Sequence, residues 1–394
     1  MQYNNNQKRP LTVHILAVTL PLFISGYFIL PERYLQYSFY YLLVFIPAMI
    51  AAWQYRHVWR DRILIYTVAF IGYHAASVIW SHESDIECIV RAVSESIITL
   101  SFAFALFLLK SRHHEIFHPW LRNALVIIGI TSVAYIFTYG PSDIFTGPRL
   151  ESLAQFSNPN TIGVSYGLLF VLTAGLAFSS RLPATKVLYI CLGIIFFSFV
   201  LISQSRNAAI ASATGLSLLV AFYLRKGAWH LILPFLLSII IVVWTIGDGL
   251  ISRFSNITLH YRQDIWQMTI SQAREAWLLG YGLCSSFLVS VKDVVFNHPH
   301  SAILATAWYT GIIGLLLLIA IFFEGLKSGW YLLRNNDEPL YMALLLYALL
   351  CLMPDFDILV SRPREIWLYF WFPVIMAVAT CIGMRYDNSR FQHS

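Results

Sequence analysis

Charge is what this sequence has least of. Acidic and basic side chains make up 12% of its 394 residues and hydrophobic ones 58%, against roughly 25% charged residues in an ordinary soluble domain. A chain so poor in charge does not suit a water-facing surface of this length, which points away from a soluble enzyme and to an integral membrane protein. Sustained alternation of apolar and polar residues is missing as well, so a transmembrane β-barrel is not expected. The five cysteines, Cys88, Cys191, Cys284, Cys351 and Cys381, include no C-x-x-C pair. Their scatter indicates neither a zinc site nor a disulfide framework, and most of them read as packing residues. Internal repeats and low-complexity stretches are absent from the sequence too.

What is present is a succession of apolar runs of about 20 residues, the length a helix needs to cross a bilayer. Twelve spans are expected, near 11–30, 34–53, 63–80, 87–110, 120–138, 160–178, 184–203, 206–224, 228–247, 300–324, 338–355 and 365–385. The fold class is therefore all-α, a polytopic bundle of about twelve transmembrane helices forming a single integral membrane domain over 1–394. One long connection, 248–299, is inserted between the ninth and tenth spans, and its spacing of apolar residues predicts amphipathic helices on the membrane surface. The first span follows Lys8 and Arg9 but is long for a signal peptide and has no small-residue cleavage site, so it is expected to be a retained helix.

Basic residues gather in alternate connections, among them Arg56, Arg60, Lys110, Arg112, Arg225 and Lys327. The positive-inside rule then puts those connections and both termini in the cytoplasm. The formal net charge of +6 is accordingly topological and not the footprint of nucleic-acid binding. On the opposite side remain Arg33, Arg91, Arg149, Arg206, Arg253, Arg262, Arg274, Arg362 and Arg364, with Lys292 as the single lysine. The planar guanidinium fork suits phosphate or carboxylate better than the point charge of lysine, so that face is suited to an anion.

Four stretches carry candidate chemistry. In "FNHPHSAILATAWYTGIIG", 296–314, a helix beginning near His300 would align His300, Leu304, Ala307, Gly311 and Gly314 on one stripe, with the imidazole at its wet end. A histidine that only anchors the helix would look the same. His298, two residues away, would not share that face. In "SQSRNAAIAS", 203–212, Arg206 stands where an uncompensated charge is costly, so it either binds a ligand or pairs with Asp248 or Asp264. Arg262 in "YRQDIW" has Trp266 one turn later, the pattern of a headgroup-level contact or of a snorkelling charge. Asn158-Pro159-Asn160 suits the capped start of a span. Finally, "MPDFDILVSRPRE", 353–365, brings Asp355, Asp357, Arg362, Arg364 and Glu365 together, expected mostly to pair among themselves with one charge able to reach a site. Arg91 and Glu95, one turn apart, are expected to neutralise each other.

Taken together, these stretches resemble the O-antigen ligase and polymerase superfamily of bacterial inner-membrane glycosyltransferases, over most of the chain and most closely between Arg149 and Gly314. His300, Ser301, Gly311 and Gly314 fit its ligase pattern, "SNPN" at 157–160 is similar to its Asn-Pro-Asn turn, and "SQSRNAAIA" supplies Arg206. "YRQDIW" with "LLGYGLCSSF" resembles the family's large-loop motif and supplies Arg262, Gly280, Gly282 and Phe287. The resemblance implies a GT-C-like bundle with its site on the periplasmic face of the inner membrane. It implies transfer of a glycan from undecaprenyl pyrophosphate to a sugar hydroxyl of lipid A-core by one inverting displacement, without metal or other cofactor. His300, Arg206 and Arg262 would then be catalytic, with Arg206, Arg262, Asn158 and Asn160 on the donor and His298 and Ser301 on the acceptor. The partners would be the lipid-linked donor, the lipid A-core acceptor and membrane lipids, and no nucleic acid. An O-antigen polymerase or a protein O-oligosaccharyltransferase would share the donor chemistry. A lipid-linked oligosaccharide flippase is the weaker alternative, because transport predicts charges deep in several spans and two similar halves.

Overall fold

The computed structural model of the chain describes residues 9–83, 85–139, 150–227, 240, 260–291 and 294–391. Most of the expected ninth span and the first part of the long connection lie outside the described residues, with Arg149, Asp248, Arg253 and Lys292. The described helices are α1 Leu11–Ile29, α2 Arg33–Gln54, α3 Arg62–Trp80, α4 Ile86–Arg112, α5 His114–Tyr139, α6 Pro159–Ser179, α7 Pro183–Ser203 and α8 Arg206–Arg225. They continue with α9 His260–Glu275, a small antiparallel hairpin of β1 Val289–Val291 and β2 Val294–Phe296, then α10 Ala302–Asn335, α11 Leu340–Leu352, a single turn Ile366–Tyr369, and α12 Trp371–Phe391. Nine of these, α1 to α8 and α10, are long and apolar enough to cross a membrane, and α11 and α12 add shorter apolar segments. The chain is a multi-pass helical membrane protein.

Short connections reverse the chain from α1 to α5, from α6 to α8 and from α10 to α11. The starts of α4, α6, α8 and α10 and the ends of α3 and α11 therefore share one end of the bundle, called here the site end. Direct bonds join these segments. Asn160 at the start of α6 donates to Asp355 after α11 at 3.3 Å, and Asn207 at the start of α8 donates to the Cys351 carbonyl at 3.2 Å. At the far end Lys226 pairs with Asp337 at 2.5 Å.

Lipid tails are as apolar as leucine, so helices in a bilayer are held by close packing and hydrogen bonds more than by burial from water. Helix α6 illustrates this at the centre, where 94% of its apolar window is buried. A methyl group added at Gly163 would meet Ser205 and Ala208, one at Gly167 would meet Tyr347 and Ser212, and one at Gly175 would meet Leu340. Hydroxyls complete the contact: Tyr347 donates to the Val164 carbonyl at 2.7 Å, and Tyr369 lies 2.7 Å from the Ser165 hydroxyl. The turn bearing Tyr369 is itself pinned by Trp367, whose fully buried ring stacks on Phe102 of α4 at 4.7 Å and stands 5.1 Å from Tyr40 of α2.

Helix α10 departs from the expected straight span. Its 34 residues would extend about 51 Å at the usual rise, well beyond a hydrocarbon core of about 30 Å. Gly311 breaks it, with φ 62° and ψ −162°, a conformation essentially reserved for glycine. The expected stripe from His300 to Gly314 is therefore interrupted, and the helix begins at Ala302, beyond His300. The break frees backbone groups, and residues 277–282 take them up. Tyr281 and Gly282 amides donate to the Trp308 and Tyr309 carbonyls at 2.9 Å each, and the Ile312 amide donates to the Trp277 carbonyl at 2.8 Å. Such an approach needs glycine on both sides. A β-carbon on Gly280 would come within 2.5 Å of the Gly311 amide nitrogen, and one on Gly311 would strike the Leu278 carbonyl.

The same strap is fastened on its other side to the end of α3. Trp80 Nε1 donates to the Leu279 carbonyl at 3.1 Å, while the Leu283 and Cys284 amides donate to the Ser77 and Ser81 hydroxyls at 3.1 and 3.0 Å. Cys88, in the first turn of α4, is disulfide-bonded to Cys284 across 196 residues. This corrects the expectation of no disulfide: two of the five cysteines form a cross-link, and Cys191, Cys351 and Cys381 are free. Two tests follow from the strap. Denatured without reductant, the protein will show three maleimide-reactive thiols by intact mass, and five after reduction. Breaking the cross-link by Cys284→Ser will lower unfolding stability by about 2–4 kcal/mol, and Gly311→Ala will cost about 1–3 kcal/mol from backbone strain alone, both read as a lower melting temperature in detergent.

Candidate active site

Asp355 lies just past the end of α11, and its side chain is only 15% exposed. A buried carboxylate without partners would be strongly destabilising, and three segments supply them. Arg262 of α9 approaches Oδ2 at 3.7 Å, the Asn160 amide of α6 donates to the same oxygen at 3.3 Å, and His300 Nδ1 faces Oδ1 at 4.0 Å. The Phe356 amide donates to Oδ1 at 3.0 Å. Burial alone would raise the Asp355 carboxyl. The facing His300 imidazole, the Arg262 charge and the Phe356 amide outweigh it and hold Asp355 below the usual carboxylate range. At these distances the Arg262 and His300 contacts are loose, and the guanidinium keeps donors for a further anion.

His300 precedes α10 in a left-handed conformation, φ 51°, which is uncommon for a residue with a side chain and clusters at functional positions. This turn has a consequence that helical spacing does not predict. His298 and His300 do not diverge; their rings stand 3.8 Å apart. The expectation that His298 would point elsewhere is corrected, because neither histidine is on the helix. Burial pushes the His298 imidazole below its ordinary value and the His300 ring adds to that, against the pull of Asp357 and Asp355. His298 is thus a neutral neighbour of His300 near pH 7.

Arg206 occupies the first position of α8, half-buried, with Ser205 capping the helix. Gly163, one turn from Asn160, packs on Ser205 and Ala208, so the Arg206 turn adjoins the Asn160 turn. Among the described residues no carboxylate forms an ion pair with Arg206, Asp264 included. Asn158 caps α6, its side-chain oxygen accepting from the Thr161 amide at 2.9 Å. Ser301 caps α10, accepting from Leu304 at 3.4 Å, and is 3% exposed, which leaves little surface for an acceptor contact. On α9, the buried indole nitrogen of Trp266, one turn beyond Arg262, has no partner among the described residues.

The 353–365 cluster pairs within itself only in part. Arg362 reaches Glu95 of α4 at 3.5 Å, and Arg364 pairs with Glu365 at 3.6 Å, leaving Asp355 to the site. The Arg91 charge still acts on Glu95, but the direct ion pair of Glu95 is with Arg362, while the Arg91 guanidinium donates to Cys88 Sγ at 3.6 Å. Asp355 is the residue that sequence reasoning did not single out. Its signal was a carboxylate directly after a span, at the end where arginine replaces lysine as the cation.

A multi-pass helical bundle whose one end gathers an imidazole, a guanidinium and a shared carboxylate from three distant segments is a membrane protein with a polar site at the bilayer surface. Comparison with known proteins finds two similarities. The sequence pattern of the O-antigen ligase family matches residues 191–319, which include Arg206, Arg262 and His300. The O-antigen ligase of Pseudomonas aeruginosa is 22% identical to the chain over 396 residues, covering 98% of this chain and 95% of that protein. Both similarities support a place for the chain in the O-antigen ligase superfamily.

The Asp355 cluster makes a pH-dependent contribution of known sign. A carboxyl held below its unfolded value contributes stability above the ordinary carboxylate range and loses it as pH falls through its folded value. Asp355→Asn will therefore melt below wild type at neutral pH, by about 1–3 kcal/mol in unfolding stability. The gap will close only below the ordinary carboxylate range, as shown by melting curves across pH.

Proposed function

We propose that the chain is an O-antigen ligase that moves a glycan from undecaprenyl pyrophosphate to a sugar hydroxyl of lipid A-core, at the periplasmic face of the bacterial inner membrane. The single observation that carries this reading is the Arg262–Asp355–His300 cluster at one end of a membrane bundle, beside an Arg206 that has no ion-pair partner among the described residues. The Cys88–Cys284 cross-link at the same end favours an oxidising compartment there, and the basic connections favour a cytoplasmic far end and cytoplasmic termini.

The chemistry follows from the groups. Asp355 faces Nδ1 of His300, which favours the tautomer with its proton on Nδ1 and leaves Nε2 to accept another. As the acceptor oxygen attacks the anomeric carbon, its proton passes to Nε2. The bond from that carbon to the pyrophosphate oxygen breaks, and the electron pair leaves with undecaprenyl pyrophosphate. Attack opposite the leaving group inverts the anomeric centre. Arg206 and Arg262 stabilise the developing negative charge by charge-assisted hydrogen bonds, with the Trp266 indole as a further donor. The protein residues suffice for this scheme without a metal. An O-antigen polymerase or a protein O-oligosaccharyltransferase would use the same donor half, and the name of the Pseudomonas aeruginosa relative favours the ligase.

His300→Ala will reduce single-turnover transfer by about 10²–10⁴-fold, the usual contribution of a general base, with donor binding unchanged; near-normal transfer removes the imidazole from the scheme. Arg206→Ala and Arg262→Ala will weaken donor binding or the chemical step, and lysine at either position will restore only part of it. Purified protein supplied with a lipid-linked donor will glycosylate lipid A-core; sugar appearing instead on a second lipid-linked glycan or on a pilin-like protein reassigns the acceptor.

A further inference from the structure

A second concave site lies next to the cationic one and carries the opposite charge. Between residues 82–83, after α3, and residues 272–288 is a cleft of about 280 Å³. Trp308 of α10 forms one wall, and the Tyr281 ring stacks on it at 4.6 Å. The pair is fixed from several directions. Trp308 Nε1 donates to Gln272 Oε1 at 3.0 Å, the Tyr281 hydroxyl donates to Glu275 Oε2 at 3.2 Å and to the Gln272 carbonyl at 3.0 Å, and the Tyr281 amide donates to the Trp308 carbonyl. The disulfide and the strap fasten the opposite wall. Little remains to be ordered when a ligand arrives, which lowers the cost of binding.

The lining defines the ligand's chemistry. Glu83 and Glu275 both reach the cleft with no cation paired to either among the described residues, and one oxygen of each is engaged, by Ser286 and by Tyr281. Two uncompensated carboxylates repel phosphate, pyrophosphate and acidic sugars, and they do not suit an acyl chain. The half-exposed Tyr281 ring, backed by the buried Trp308, beside open carboxylate oxygens, an amide and the His82 ring suits a neutral polyhydroxylated ring. Its C–H face packs on the aromatic wall and its hydroxyls donate to the carboxylates.

Geometry links the cleft to the proposed reaction centre. Helix α9 carries Arg262 at one point and Gln272 and Glu275 about 15–20 Å further along, while α10 begins beside His300 and reaches Trp308 about 9 Å beyond Ala302. We propose that this cleft is a carbohydrate subsite that holds a neutral sugar ring, one or more units from the reacting end of a glycan. That the sugar belongs to a substrate rests on the transfer reading above; the sugar chemistry of the cleft stands on its own lining.

The test uses the full chain in nanodiscs and two lipid-free probes, the oligosaccharide released by mild acid from the lipid-linked donor and the core oligosaccharide released in the same way from lipopolysaccharide. Saturation-transfer NMR and calorimetry will detect binding of one or both, and the probe that binds identifies the source as donor or acceptor. The double variant E83Q and E275Q, at exposed side chains, will weaken that binding at least tenfold while retaining the wild-type melting temperature and thiol count. His300→Ala will bind the probe as wild type does. Absence of binding by both probes, or equal binding by the double variant, overturns the subsite. Transfer by His300→Ala would instead overturn the proposed mechanism and leave the subsite standing.

Discussion

Dehydrating a carboxylate costs several kcal/mol unless charged and hydrogen-bonding groups surround it, and at Asp355 that requirement draws three remote segments to one point. Arg262 comes from the helix within the long connection, His300 from the turn before α10, and Asn160 from the start of the most buried of the described spans. Each partner is positioned in return. Arg262 is held next to the imidazole without being saturated, and Nδ1 of His300 is given a preferred direction. Pre-organised donors are effective in proportion to how little they move during reaction, so the same contacts that offset the burial of Asp355 prepare the site.

The second constraint is the accounting of backbone hydrogen bonds where a helix is interrupted close to the membrane. Irregular backbone at that depth is tolerated only where protein takes up the freed groups. Here the break at Gly311 and the strap at 277–282 satisfy each other through reciprocal amides and carbonyls, and glycine is required on both sides of the crossing. The break has a positional result. The first part of α10 leaves the line of the span, so His300 starts from a turn outside the helix and meets both Asp355 and His298.

Much of the bundle was legible in the sequence because a span is a local property: about 20 apolar residues between polar ends specify it whatever surrounds them. The positions of His300, Arg262 and Arg206 at one end followed from counting crossings. What escaped depended on contacts between remote segments. Cys88 and Cys284 are 196 residues apart and carry no spacing signal. The ion pairs of 353–365 were assigned to neighbours in sequence, whereas Arg362 found Glu95 on another helix and thereby left Asp355 for the site. His298 and His300 were judged by helical periodicity in a segment that is not helical. In each case a rule for one element was applied where the partner lay on a different one.

The division of charge at the site end completes the argument. A lipid-linked pyrophosphate and an uncharged sugar chain make opposite demands on a protein surface, and one uniformly basic groove would hold the first well and the second with little selectivity. Arg206 and Arg262 lie at one end of the connected segments, and Glu83 and Glu275 line the cleft at the other, with α9 and α10 running between them. In the proposed reaction, like charge excludes the pyrophosphate from the acidic cleft, and the cations attract it to the imidazole. With the sugar chain and the leaving group directed to different places, repulsion at one and attraction at the other help to orient the glycosidic bond between them, a contribution from position that hydrogen bonds at the reacting centre alone do not supply.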